Sequence, residues 1–120
     1  AVDFYPTLAE LCGLPVAKEL EGRSLVPLLK NPKAEWKHPA FTVWSEDGKT
    51  YHGVAVRTER WRYAEFGLAG KSGAMLFDQQ ADPHELKNLA DDPKFAEVQK
   101  ELSGFVRAYA KEAPVSDPAR

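Results

Sequence analysis

The stretch from Pro93 to Ala110 constrains the fold most. Phe95, Val98, Leu102, Phe105, Val106 and Tyr109 recur at three- and four-residue steps, which predicts an amphipathic helix of about five turns. Asp92-Pro93 supplies its start, with Asp as N-cap and Pro at the first helical position. Gly104 inside it costs roughly 1 kcal/mol against alanine, a tolerable defect. A helix with this stripe is stable only against an apolar partner surface. The stretch before it supplies one. Phe41–Ser45, Gly53–Thr58, Arg60–Phe66 and Ala74–Asp78 are rich in aromatics and valine and read as four strands, opened by Pro39. Little more than Thr58 and Glu59 separates the second from the third, which predicts a hairpin. Val54–Val56 is apolar on both faces and belongs in the middle of a sheet. On the third strand Trp61 and Tyr63 share one face and Arg62 takes the other.

The N-terminal third reads differently. Phe4, Leu8, Leu11 and Cys12 lie on one face of a helix over residues 2–12, with Asp3 as N-cap and Pro6 in the first turn. Gly13 follows as the left-handed terminator and Pro15 prevents continuation. Residues 16–39 are mostly connection, with a short helical turn at Ser24–Leu29. Asp82-Pro83 reads as another helix start, with His84 in its first turn. The tail from Ala113 carries two prolines and is expected to fray.

Composition removes several function classes. The 120 residues are 43% hydrophobic and 28% charged, as in one ordinary globular domain rather than a disordered tail. A net charge of -2 leaves no electrostatic footprint for nucleic acid. No uncharged stretch exceeds eight residues, His38 to Ser45, so no segment reads as a membrane-spanning helix. One cysteine excludes a disulfide framework and a cysteine-rich zinc site. Beginning at Ala1, without methionine or signal peptide, the chain reads as an excised or processed piece.

Each candidate for chemistry has a plainer reading beside it. His38, His52 and His84 stand far apart, and no pair has metal-ligand spacing. His52 is the most interesting of them, at the mouth of the central strand beside Lys49 and Tyr51, although a loop-edge role suffices to explain it. Asp91-Asp92 resembles a carboxylate pair, but the following Pro93 makes it a cap. Arg57, Arg60 and Arg62 could hold an anion, and pairing with Glu59 and Glu65 is the simpler expectation. Cys12 on an apolar helix face reads as a buried, inert thiol. No serine, cysteine or lysine has a base at useful spacing, and there is no glycine-rich phosphate loop. The residues alone therefore describe a small α+β domain without a visible active site.

Four segments together resemble the C-terminal end of a type I sulfatase of the alkaline phosphatase superfamily. Val2-Asp3-Phe4-Tyr5-Pro6-Thr7-Leu8, with Leu11-Cys12-Gly13-Leu14-Pro15, is similar to the family's late helix and its exit. Glu21-Gly22-Arg23-Ser24-Leu25 and Pro27-Leu28-Leu29 resemble the G-R-S-L-x-P-L-L stretch. Val56-Arg57-Thr58-Glu59-Arg60-Trp61-Arg62-Tyr63 resembles the V-R-T-x-R-Y-R-Y hairpin. Leu76-Phe77-Asp78, Asp82-Pro83-His84-Glu85 and Asn88-Leu89-Ala90 resemble L-Y-D-x-x-x-D-P-x-E-x-x-N-L-A. The wording from Arg57 to Phe66 is most similar to the iduronate-2-sulfatase class.

The resemblance implies a small four-stranded antiparallel sheet with a long C-terminal helix packed on it, residues 39–112. It also implies a preceding piece, residues 1–38, whose helix belongs to the parent's large α/β domain, and a frayed tail at 113–120. It implies a parent that hydrolyses sulfate esters of sulfated carbohydrate with Ca2+ and a formylglycine, and that is periplasmic or secreted. No cofactor is expected on this chain. Cys12 is followed by Gly13, Leu14, Pro15 and Val16, which departs from C-x-P-x-R and C-x-A-x-R, so no catalytic or metal residue carries over. The loop Glu46–His52 is the candidate for part of the substrate rim, with Lys49 and His52 facing an anionic sugar sulfate. The implied partners are the sulfatase large domain and a sulfated carbohydrate, not nucleic acid or membrane, with a homodimer through the N-terminal helix as a further expectation. Two other readings stay open: a non-catalytic interaction module with a sulfatase-tail fold, and the tail of a related phosphatase or phosphodiesterase.

Overall fold

The computed structural model describes residues 2–47 and 51–110. The chain divides into two compact units, Ala1–Lys37 and His38–Arg120. The first holds helices α1 (Phe4–Leu11) and α2 (Val26–Lys30). Gly13 takes φ +67° after α1. The Gly13 N–H donates to Glu10 O (3.1 Å) and the Leu14 N–H to Ala9 O (2.8 Å), which closes the helix in a Schellman motif. Asp3 stands at the N-cap position, but its carboxylate accepts the Arg23 backbone N–H at 2.7 Å and makes no side-chain cap. Thr7 Oγ1 likewise accepts the Leu25 N–H at 2.9 Å. The α1 face that carries Pro6, Thr7 and Ala9 is therefore buried within this unit. Phe4, Leu8 and Leu11 point outward. Cys12 is exposed as well, contrary to the buried thiol expected from its apolar face, because that face is the uncovered one.

The second unit is an antiparallel meander of β1 (Ala40–Trp44), β2 (Gly53–Arg57), β3 (Trp61–Phe66) and β4 (Ala74–Asp78), in that spatial order. The expected strands, the hairpin and the inner place of β2 are all present. Val56 pairs with Phe41 on one side and Tyr63 on the other, and Tyr63 pairs with Leu76. One face of the sheet therefore carries a continuous apolar row. A 3₁₀ turn (Pro93–Phe95) leads into α3 (Ala96–Ala110), which lies across β2 and β3 on that face. The Asp92 carboxylate accepts the Lys94 N–H at 3.0 Å, which is the anticipated cap.

Val54, Val56, Tyr63 and Leu76 from the sheet and Leu102 and Val106 from α3 form the buried core. Tyr109 stacks on Phe41 at 4.4 Å, and Trp61 meets Phe95 edge-on at 5.8 Å. The stripe differs from the expected one at a single position. Phe105 stays 39% exposed, and Ser103 is buried in its place. At about 100° per residue, Phe105 and Ser103 lie on opposite flanks of Leu102. The helix is rolled toward the Ser103 side, where a buried carboxylate of the sheet waits.

Asp82-Pro83 does not begin a helix. The Asp82 carboxylate accepts the Lys87 N–H at 2.9 Å, and Glu85 takes φ +55°. The chain then runs along the outer side of β4. Asn88 Oδ1 accepts the Leu76 N–H (2.9 Å), its Nδ2 donates to Ala74 O (3.1 Å), and the Leu89 N–H donates to Leu76 O (2.8 Å). Covering an edge strand in this way satisfies backbone groups that would otherwise recruit another chain. Those tertiary bonds outweigh the local helix signal.

Candidate functional site

The residues expected at the rim, Lys49 and His52, fall in the β1–β2 connection. Lys49 lies outside the described residues. The His52 N–H donates to Trp44 O at 2.8 Å, and the His52 carbonyl accepts the Gly67 N–H at 2.9 Å. Its half-buried ring rests at 5.3 Å from the Trp44 ring, tilted by 53°. Backbone bonds on both sides and the indole hold the imidazole in one place at the end of the sheet. Ser45 Oγ donates to Asp47 Oδ1 at 3.1 Å just before it.

The three arginines do not gather around an anion. Arg57 donates to the carbonyls of Thr58, Glu59 and Trp61 and so clamps the β2–β3 turn. Arg60 reaches Asp78 with two nitrogens, Nη2 at 2.6 Å, and lies over the Trp61 ring at 4.7 Å. This hydrogen-bonded partner holds the Asp78 carboxyl down to about 2 and pushes the Arg60 guanidinium further up. Arg62 grips both oxygens of Glu85 at 2.9 and 3.0 Å, and Gln79 donates to the same carboxylate. The partners are thus Asp78 and Glu85 rather than Glu59 and Glu65. The pleat explains it: Arg62 and Glu65 stand on opposite faces of β3.

Glu65 is the polar residue that reasoning from the sequence missed. It is buried on the face covered by α3, where Tyr63 Oη donates to it at 2.9 Å and Ser103 Oγ donates to the same oxygen. Arg107 Nη2 stands 3.9 Å away. Burial first, and the Glu65 bond second, push the Tyr63 hydroxyl up to about 12. A cavity of about 470 Å3 opens beside this cluster, bordered by Gln99, Lys100 and Arg107. The signal was available in the period-two alternation that puts Glu65 on the side of Trp61 and Tyr63. A carboxylate on a core face requires donors, but the sequence does not say where they come from.

Ca2+ takes six to eight oxygen ligands. Among the described residues no group of three or more His, Cys, Asp or Glu side chains could hold a metal ion. Asp78, Glu85 and Glu65 are each engaged by arginine, glutamine or hydroxyl donors of this chain. The donor set of the described residues does not fit the Ca2+ that the sulfatase resemblance implies for the parent. The motif residues that carry the resemblance instead perform structural work: Asp78 fixes the hairpin through Arg60, Glu85 bridges Arg62 and Gln79, and Asn88 covers β4.

The family model "N-sulphoglucosamine sulphohydrolase, C-terminal" matches residues 1–112. The chain belongs to this family. Among curated relatives of this sulphohydrolase C-terminal domain, a Delta 4,5-hexuronate-2-O-sulfatase of Bacteroides thetaiotaomicron is 38% identical over 111 residues, covering 90% of the chain and 23% of the relative. Arylsulfatase K of Gallus gallus is 33% identical over 125 residues, covering 96% of the chain and 22% of the relative. A solved 2-O GAG sulfatase superposes with a TM-score of 0.75 at 30% identity, over 92% of this chain and 24% of that one. The chain thus spans under a quarter of the length of these relatives and corresponds to a C-terminal sulfatase domain.

Proposed function

We propose that the chain is the C-terminal subdomain of a sulfatase whose full-length form hydrolyses sulfate esters of a sulfated carbohydrate. Residues 39–112 form that subdomain, and the helix of residues 1–38 belongs to the parent's large domain. The observation that carries this reading is the family match over residues 1–112, with a sulfatase 38% identical across 90% of the chain. A curated relative and a solved structure that it resembles both carry a 2-O position in their names, the relative's on a hexuronate. That supports a 2-O-sulfated uronate as substrate, in line with the iduronate-2-sulfatase resemblance.

In this reading the chain supplies no nucleophile and no metal ligand; the large domain brings the formylglycine and Ca2+. The chain's own part is to hold one wall of the pocket. Lys49 and His52 form that wall, with His52 held in place by its backbone bonds and by Trp44. Outside the parent, the exposed Phe4, Leu8 and Leu11 of α1 pair two copies of the chain, since two-fold contacts close on themselves.

The test is sulfate release from a 2-O-sulfated unsaturated uronide with added Ca2+. The full-length polypeptide is expected to turn it over, and the 120-residue chain to stay at the buffer blank. His52→Ala in the full-length polypeptide is expected to raise KM about three- to tenfold at nearly constant kcat, the signature of lost uniform binding. No release from this or other sulfated sugars by the full-length polypeptide overturns the reading.

A further inference from the structure

The face of the sheet opposite α3 is not built for water. Antiparallel sheets with one solvated face alternate apolar inward and polar outward residues. Here the outward positions include Trp44, Ala55, Ala64, Phe66, Met75 and Phe77. Ala55, Ala64 and Met75 stand in one cross-strand row, and Ala64 pairs directly with both neighbours. Trp44, Gly53 and Phe66 form the next row. Small side chains therefore floor a trough of about 270 Å3 between aromatic walls. Trp44 is 51% and Met75 43% exposed along it. Gly53 is required by this shape, because a Cβ there would stand 2.9 Å from the Phe66 ring. The Arg62–Glu85 pair closes one end with charge.

We propose that this trough seats the remainder of the sulfatase polypeptide, through an apolar helix or loop laid across β2 and β3. The inference rests on the sulfatase reading above and adds the surface by which the chain docks. Two observations select this occupant. The relatives that match nearly all of the chain are about four times its length, so a large body of polypeptide must find a seat on the domain. A second copy fits poorly, because a two-fold axis would set trough against trough and leave both alanine floors unfilled.

Hydroxyl-radical footprinting of the 120-residue chain and of the full-length polypeptide tests this. Met75 is the only methionine of these 120 residues, so its sulfoxide is followed in both proteins on the peptide that contains it. Oxidation follows exposure, and Met75 and Trp44 should react about tenfold more slowly in the full-length polypeptide. Phe105, half-exposed on α3, should react equally in both. Equal Met75 and Trp44 rates in the two proteins overturn the proposal. So does protection already present in the 120-residue chain. If that protection is lost on dilution, the occupant is a second copy; if it is lost in Leu8→Glu, the occupant is α1. Sulfate release measured on the same full-length sample separates the two claims. An inactive sample with protected Met75 sinks the sulfatase reading and keeps the seat, whereas an active sample with reactive Met75 does the reverse.

Discussion

Replacing residues along α3 one at a time measures how the helix is rolled on the sheet. Leu102 is 2% exposed and touches the Val54, Val56, Tyr63, Leu76 and Val106 cluster. Leu102→Ala removes three carbons, about 2.4 kcal/mol of transfer at 0.8 per methylene, before any cavity cost. The expected loss is about 3 kcal/mol, inside the usual range of 2–5 for a buried leucine. Phe105→Ala should lose about 1–2 kcal/mol, less than Leu102→Ala, because the ring is 39% exposed and only part of its surface is buried. Ser103→Ala should lose about 1–2 kcal/mol despite its small size, since it leaves the buried Glu65 carboxylate one donor short. The unit His38–Arg120 has about 4–12 kcal/mol in total, so all three variants still fold in the cold. Urea unfolding at constant m-value reads the differences directly. Phe105→Ala as costly as Leu102→Ala, or Leu102→Ala below about 0.5 kcal/mol, would refute the packing described above.

Three other outcomes are expected. The Asp78 carboxyl should titrate near 2 by NMR, and Arg60→Gln should return it toward the ordinary range. Its depressed pKa means that the stabilisation is fully present above roughly pH 4 and lost as pH falls toward 2; an unshifted midpoint would show the Arg60 contact to be absent. Gly104→Ala should stabilise α3 by about 0.5–1 kcal/mol, because no atom lies within 4 Å of the added Cβ, and a loss on thermal unfolding would contradict this. The wild-type chain should sediment as a dimer and Leu8→Glu as a folded monomer, whereas a monomeric wild type would leave the α1 stripe simply solvated.

Periodicity and punctuation alone determined the elements: the Asp92-Pro93 start of α3, the Gly13 stop of α1, the Thr58-Glu59 hairpin and the inner place of Val54–Val56. These follow from local rules, since caps, left-handed glycines and two-residue alternation act within a few residues of chain. Only the tertiary structure decided which side chains meet. Glu65 and Ser103 are 38 residues apart, Arg60 and Asp78 are 18 apart, and Arg62 and Glu85 are 23 apart. A stripe repeating every 3.6 residues names a helix face but not its roll, so Phe105 and Ser103 exchange their expected places by a fraction of a turn. Asp82-Pro83 carries a genuine start signal, yet Asn88 and Leu89 gain more by bonding the free edge of β4 than a short helix would return. The candidate rim was legible only through family resemblance, because a lone His52 has no local pattern that separates a ligand contact from a loop edge. Its position against Trp44 exists only once β1 and β2 have paired.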